Sequence, residues 1–161
     1  MSSSLLIRLL ADGLMIPIVL IGAFALIRYV PINQRYQAYA RILLAGLTAL
    51  LVAKLVAVMW QPDAARPFVE LGVAPGAAYL SNAGFPSDHV LFVAAITLAV
   101  GFETKKRNLT ILLAALTFLV ALGRVLALVH SPIDVIGGVV FAFIGAAWYF
   151  TVPRQIRLSR K

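Results

Sequence analysis

Five apolar stretches, Leu14 to Val30, Ile42 to Trp60, Val90 to Phe102, Leu109 to Val129 and Ile133 to Phe150, follow one another along this chain, each bounded by charge or proline. That succession limits the possible folds more than any other feature. Backbone groups in lipid must be satisfied within the protein, so spanning segments are helices or closed barrels. The alternating ten-residue pattern of a barrel strand does not occur. The expected fold is therefore all-α: an integral membrane helical bundle of about five transmembrane helices, with one domain over residues 1–161. A soluble domain is excluded by a chain that is 62% hydrophobic and only 12% charged. At about 20 residues per crossing there is no room for a second folded domain. Ahead of the first stretch, Ser2 to Ala11 carries Leu5, Leu6, Leu9 and Leu10 beside Arg8 and Asp12. This short amphipathic segment is expected to lie on the membrane interface. Ala23-Phe24-Ala25 imitates a signal-peptidase site, but Asp12 and Pro17 interrupt the usual layout, so the first helix is expected to be retained.

Basic residues set the orientation, because cytoplasmic loops collect Lys and Arg. Arg28, Arg35 and Arg41 lie between the first two stretches, Lys105, Lys106 and Arg107 between the third and fourth, and Arg154, Arg157, Arg160 and Lys161 in the tail. Placing these inside leaves Asp12, Asp63, Glu70, Asp88 and Asp134 on or near the outer side, with Glu103 inside. The N-terminus is then outside and the C-terminus cytoplasmic. The net charge of +8 is thereby accounted for as an orientation signal, and nucleic acid is not an expected partner. With no cysteine in the chain, disulfides and thiolate chemistry are excluded.

The remaining polar residues gather at the outer side: Lys54, Arg66, Ser87, Asp88, His89, Arg124, His130 and Asp134. Ionisable groups at such depth face a bundle interior or wet cavity, which marks a site. The third stretch has thirteen apolar residues, about 20 Å of helix, so its helix must begin near Ser87 to approach the ~30 Å core. Ser87 then stands at the N-cap, with first-turn amides and the positive end of the helix dipole available to an anion. His89 adds a proton donor suited to neutral pH. Ser131 and Pro132 read as N-cap and first residue of the last helix, with Asp134 in its first turn and His130 just before it. Asp134 can fix one ring nitrogen of His130 and leave the other free to attack. Arg124, within an apolar helix, needs an anionic partner, and with Arg66 it could clamp phosphoryl oxygens. Each element alone has a plainer explanation: helix capping for Ser87 and Asp134, snorkelling for Arg124, and pairing elsewhere for Lys54. Together they describe phosphoryl-transfer machinery, and no carboxylate cluster for a metal accompanies them.

Arg66-Pro67, Pro86-Ser87-Asp88-His89, and Arg124 followed by His130 and Asp134 resemble, in order and spacing, the three signature motifs of the type-2 phosphatidic acid phosphatase family. The resemblance implies a metal-independent, cofactor-free lipid phosphatase built on a helical bundle and working through a phosphohistidine. It implies His130 as nucleophile, Asp134 as its orienting carboxylate and His89 as acid and then base. It implies Arg66, Arg124 and Ser87 as phosphate ligands, assisted by amides near Asp88, with Lys54 a further candidate. Three positions depart from the pattern. The first motif usually opens with a lysine seven residues before its arginine, where Met59 stands, and the nearest lysine, Lys54, is twelve residues before Arg66. Asp88 replaces the usual glycine and Gly123 the usual serine.

Arg66-Pro67-Phe68 and Pro86-Ser87-Asp88-His89 are similar to the bacterial undecaprenyl-diphosphate phosphatase branch, which implies a polyprenyl diphosphate substrate recycled for cell-wall synthesis at the outer face of the cytoplasmic membrane. Phosphatidylglycerophosphate and phosphatidate are the alternative substrates. From other classes, a silent lipid-phosphate-binding or transport protein would need the arginines but no matched acid and nucleophile. A purely structural bundle would rest on Gly137, Gly138, Ala142 and Gly145 alone. The oligomeric state is not encoded in any of these features.

Overall fold

A computed structural model describes residues 2–63, 65–82 and 84–151. Among the described residues the only regular structure is helical. Helix α1 (Ser2–Arg8) leads through a π-helical turn (Leu9–Gly13) into α2 (Met15–Tyr29), followed by α3 (Arg35–Met59), the short α4 (Pro67–Glu70), α5 (Asp88–Thr104), α6 (Arg107–Leu126) and α7 (Pro132–Gly145), which ends in a 3-10 turn, Ala146–Phe150. Four stretches are long and apolar enough to cross a membrane: Leu5–Tyr29, Ile32–Met59, Arg107–Leu126 and Pro132–Phe150. The fifth expected span is α5, whose 17 residues reach about 25 Å. It starts at Asp88, close to where the shortness of its apolar stretch requires.

Two boundaries differ from the sequence expectation. The N-terminal segment is helical but does not stand apart. Leu14 N–H reaches back to Leu9 C=O at 3.0 Å, and Ile18 N–H to Leu14 C=O at 3.2 Å, so the ladder runs almost unbroken into α2. Arg35 and Arg41 are not in a loop, because α3 begins at Arg35. Arg41 instead makes a two-pronged pair with Glu103 of α5, at 2.8 and 2.7 Å. A guanidinium fork and a carboxylate match in this way, and the pair satisfies two charges that are both largely covered. The basic residues Arg28, Arg35, Arg41 and Lys105 to Arg107 gather at one end of the bundle, where the Lys106 ammonium sits 4.7 Å from the Tyr29 ring centre. Arg154, Arg157, Arg160 and Lys161 lie outside the described residues.

Helix α5 is the centre, packed against α2, α3, α6 and α7. Ile18, Ala25, Val93, Val100, Leu113 and Val120 form its buried contact with α2 and α6. Leucine and isoleucine side chains face outward all round, as they do where the solvent is hydrocarbon rather than water. Contact between α5 and α7 depends on glycine. A Cβ on Gly138 would stand 2.8 Å from Ser87 C=O and 3.0 Å from Leu91 N, and one on Gly137 would collide with the Phe85 ring. These glycines let α7 lie directly on the first turn of α5, which brings Asp134 C=O to Ser87 N–H at 3.0 Å.

Gly138→Ala is expected to destabilise the bundle by about 1–3 kcal/mol, because the added methyl meets backbone that cannot rotate away. Gly46, in α3, has nothing within 4 Å of its would-be Cβ, so Gly46→Ala is expected to be neutral or slightly stabilising. Thermal denaturation of the two variants in detergent checks the contrast; equal melting temperatures would contradict this packing.

Candidate active site

The end of the bundle opposite the basic residues holds every polar residue singled out above. It is capped by the connection between α3 and α5, which is stitched to the α6–α7 turn by Phe68 N–H to Leu128 C=O at 3.0 Å and Gly76 N–H to Ala127 C=O at 2.9 Å. Leu128 takes the left-handed conformation, φ 58°, which is costly for a branched side chain. It reverses the chain after α6, so that Arg124 on the helix and His130 beyond it face the same space.

His130 is buried just before α7. Its Nδ1 lies 3.2 Å from Asp134 Oδ2, and the same oxygen accepts the Ser131 N–H at 2.9 Å. An ionised carboxylate only accepts, which assigns the proton to Nδ1 and leaves Nε2 with the lone pair. Burial, the largest influence, pulls the His130 pKa below its ordinary value; the hydrogen bond to Asp134 opposes it, and Arg124 and Arg66 reinforce it. The ring is therefore neutral at neutral pH, the state a nucleophile requires.

Arg66 reaches under the loop. Nη1 donates to Val129 C=O at 2.6 Å, and Nη2 to Leu80 C=O, Asn82 C=O and Asn82 Oδ1 at 3.1, 3.2 and 3.0 Å. The guanidinium also lies 5.5 Å from the Tyr79 ring centre. Burial lowers its pKa, opposed chiefly by Asp134. Arg124 is 1% exposed. Its Nη1 donates to Ala78 C=O at 2.8 Å and to Asp12 Oδ1 at 2.7 Å, which supplies the anionic partner that its position demands.

Ser87 occupies the N-cap position of α5, but its hydroxyl caps nothing. Ser87 Oγ and Arg124 Nε are buried without a hydrogen-bond partner. Buried polar atoms are rarely left so. Ser87 and Arg124 are both residues already expected to meet phosphate, and Ser87 directly precedes the first turn of α5. Arg66, Leu80, Asn82, Pro86, Asp88, His89, Arg124 and His130 surround a cavity of about 10 Å³. A second cavity of about 250 Å³ lies across Arg66 and Asn82 and is bordered also by Gln61, Asp63, Gly84 and Asp134. Among the described residues no three His, Asp or Glu side chains are grouped to hold a metal ion.

A family model described as the PAP2 superfamily matches residues 35–157. The chain belongs to that superfamily. The resemblance carried by the three motifs is thus confirmed at the level of the family, which is one of phosphatases. Among curated proteins, a similar one is the undecaprenyl-diphosphatase BcrC of Bacillus subtilis (strain 168), 28% identical over 125 residues, 78% of this chain. The chain spans 62% of that relative's length. No solved structure matches it.

Lys54 does not reach the cavity. Its Nζ sits between both oxygens of Asp88, at 2.7 and 2.8 Å, so two of the three departures from the PAP2 pattern pair with each other. Sequence reasoning also missed three neighbours. Asn82 and Leu80 hold Arg66 through a loop with no helical or strand periodicity. Gln61 holds the chain before Pro86, exchanging hydrogen bonds with both the N–H and the C=O of Phe85 at 3.2 Å. Asp12 was legible only as an acid on the site side.

Lys54→Ala is expected to lower kcat/KM about fivefold, because it leaves the Asp88 carboxylate uncompensated beside an anion site. Adding Asp88→Asn to Lys54→Ala should restore most of that loss. Steady-state rates of the single and double variants decide it: no restoration would mean that Lys54 acts on the phosphate itself.

Proposed function

We propose that this protein is a membrane lipid phosphatase that hydrolyses undecaprenyl diphosphate to undecaprenyl phosphate and inorganic phosphate through a phosphohistidine. The observation that carries the reading is the His130–Asp134 pair, with Nε2 of a neutral imidazole left free, beside two arginines and an unpartnered serine hydroxyl. A phosphate-binding protein needs the cations; it does not need an oriented, neutral imidazole among them.

In the first step His130 Nε2 attacks the terminal phosphorus, and the bond to the bridging oxygen breaks. His89 gives that oxygen a proton, so the lipid monophosphate departs. In the second step His89 takes a proton from water, the hydroxide attacks phosphorus, and the P–N bond breaks to return neutral His130 and release phosphate. Arg66, Arg124, Ser87 Oγ and the amides of the α5 first turn stabilise the equatorial oxygens in both steps. Asp134 balances the positive ring formed when Nε2 is phosphorylated. No step draws on a metal.

The relative's name favours the diphosphate carrier; phosphatidylglycerophosphate and phosphatidate are the rivals, because the roles given to the motif residues involve only the phosphate. The basic end is assigned to the cytoplasm by the positive-inside rule, which puts the site on the extracytoplasmic face of the cell membrane.

His130→Ala is expected to reduce turnover by roughly a thousandfold or more while the protein still folds; retained turnover would remove its nucleophilic role. Phosphate release by purified protein in EDTA, from the three lipids side by side, tests substrate and metal independence together. Preference for a glycerolipid would change the substrate, and activity rescued only by magnesium would overturn the mechanism. Because the His130 pKa lies below 6.5, the reactive neutral form persists as pH falls through that value. The acid limb of kcat/KM should therefore lie below pH 6.5, and a limb above it would contradict a buried neutral nucleophile.

A further inference from the structure

The residue that compensates Arg124 comes from outside the segment matching the PAP2 model, which begins at residue 35. The π-helical turn Leu9–Gly13 packs on α6 at Gly123, the position where the family's third motif usually carries serine. A Cβ there would lie 2.6 Å from Ala11 N, 2.7 Å from Leu10 C and 2.9 Å from Ala11 Cα. Any side chain at 123 would push the turn away. The turn so docked delivers Asp12 to a three-sided contact. Oδ1 accepts from Arg124 Nη1 at 2.7 Å, Oδ2 accepts the Ala78 N–H at 2.9 Å, and Ala78 C=O accepts from the same Nη1 at 2.8 Å. The contact uses one corner of the guanidinium and leaves Nε buried and without a partner. Oδ1 of Asp12 also lies 4.0 Å from His89 Nε2.

We propose that Asp12 is a positioning residue: it grips Arg124 by Nη1, so that the Nε edge is aimed at a phosphoryl oxygen, and it joins the N-terminal helix to the acid/base histidine. The assignment rests on the phosphate-site reading above, but not on turnover. Arginine suits the role because holding one corner of its rigid planar fork fixes the direction of the remaining donors, whereas the rotatable donors of a lysine ammonium are not aimed in this way. Asp12 thus acts on phosphate only through Arg124.

The test uses the full-length protein in detergent and inorganic phosphate as probe, titrated calorimetrically, so that it is read whether or not any lipid is hydrolysed. Asp12→Ala is expected to weaken phosphate binding about tenfold. In an Arg124→Lys background the same change should cause no further loss, because no fork remains to be aimed. Asp12→Asn, which keeps an acceptor toward Arg124 but loses the one for Ala78, should fall between wild type and Asp12→Ala; it carries the same comparison if the alanine variant does not fold. Equal losses in the two backgrounds would make Asp12 merely structural and overturn the proposal. Unchanged or tighter phosphate binding in Asp12→Ala would overturn it as well, the tighter result marking Asp12 as an anion that competes for the seat. Wild-type protein that binds phosphate but hydrolyses no lipid would remove the phosphatase reading and leave the Asp12 comparison standing.

Discussion

A guanidinium enclosed by an apolar bundle has no water to solvate it, and the cost of an uncompensated buried charge exceeds what one packing contact can return. The site end of this protein is arranged around meeting that demand at Arg124. Its partners come from two distant parts of the chain: the carboxylate of Asp12 from the first span and the carbonyl of Ala78 from the connection between α3 and α5. Removing Asp12 would leave the guanidinium without its counter-charge, and removing the Ala78 carbonyl would take one of its acceptors. The first helix, the capping loop and the central helices therefore have to assemble together.

Backbone contacts give the same region its shape. Ser87 N–H on Asp134 C=O ties the start of α5 to the start of α7, and the loop carrying Arg66 is pinned to the residues just after Arg124. Each connection joins elements that supply different functional groups, so positions are set by short hydrogen bonds rather than by long flexible side chains. For the proposed reaction this is the preorganisation that electrostatic catalysis needs: donors held in place before the reaction rather than recruited during it. Glycine makes it possible, because α7 can approach Ser87 only where no Cβ intervenes.

Much of this was legible in the sequence because it is local or carried by a motif. The start of α5 followed from the length of one apolar stretch, and Ser131-Pro132 announced the start of α7 with His130 just outside it. Contacts between distant segments were not legible. Asp12 and Arg124 are 112 residues apart, and periodicity or capping rules give no means of pairing them. The π turn that presents Asp12 is equally silent, since it follows from docking on Gly123 rather than from the residues of the turn. Arg35 and Arg41 misled in another way. Basic residues suggest a loop between spans, yet α3 takes them into its first turns, because Glu103 across the bundle offers Arg41 a partner.

The departures from the family pattern make physical sense in pairs. An aspartate at the first turn of α5 suits the helix dipole but opposes an anion at the same place; Lys54, displaced from the usual lysine position, sits on that aspartate and offsets it. A glycine in place of serine at 123 gives up a hydroxyl, and the space it leaves admits the turn that carries Asp12 to Arg124. In both cases a replaced motif residue is accompanied by a residue from elsewhere that compensates a nearby charge: Lys54 that of Asp88, and Asp12 that of Arg124. The lysine is thereby committed to Asp88, so on the proposed reading attraction for phosphate falls to Arg66, Arg124 and the amides of α5. Two fixed guanidinium groups and a helix end would bind an anion through directed hydrogen bonds rather than diffuse charge, so in the proposed mechanism recognition of the phosphoryl group depends on the placement of each fork and of whatever holds it.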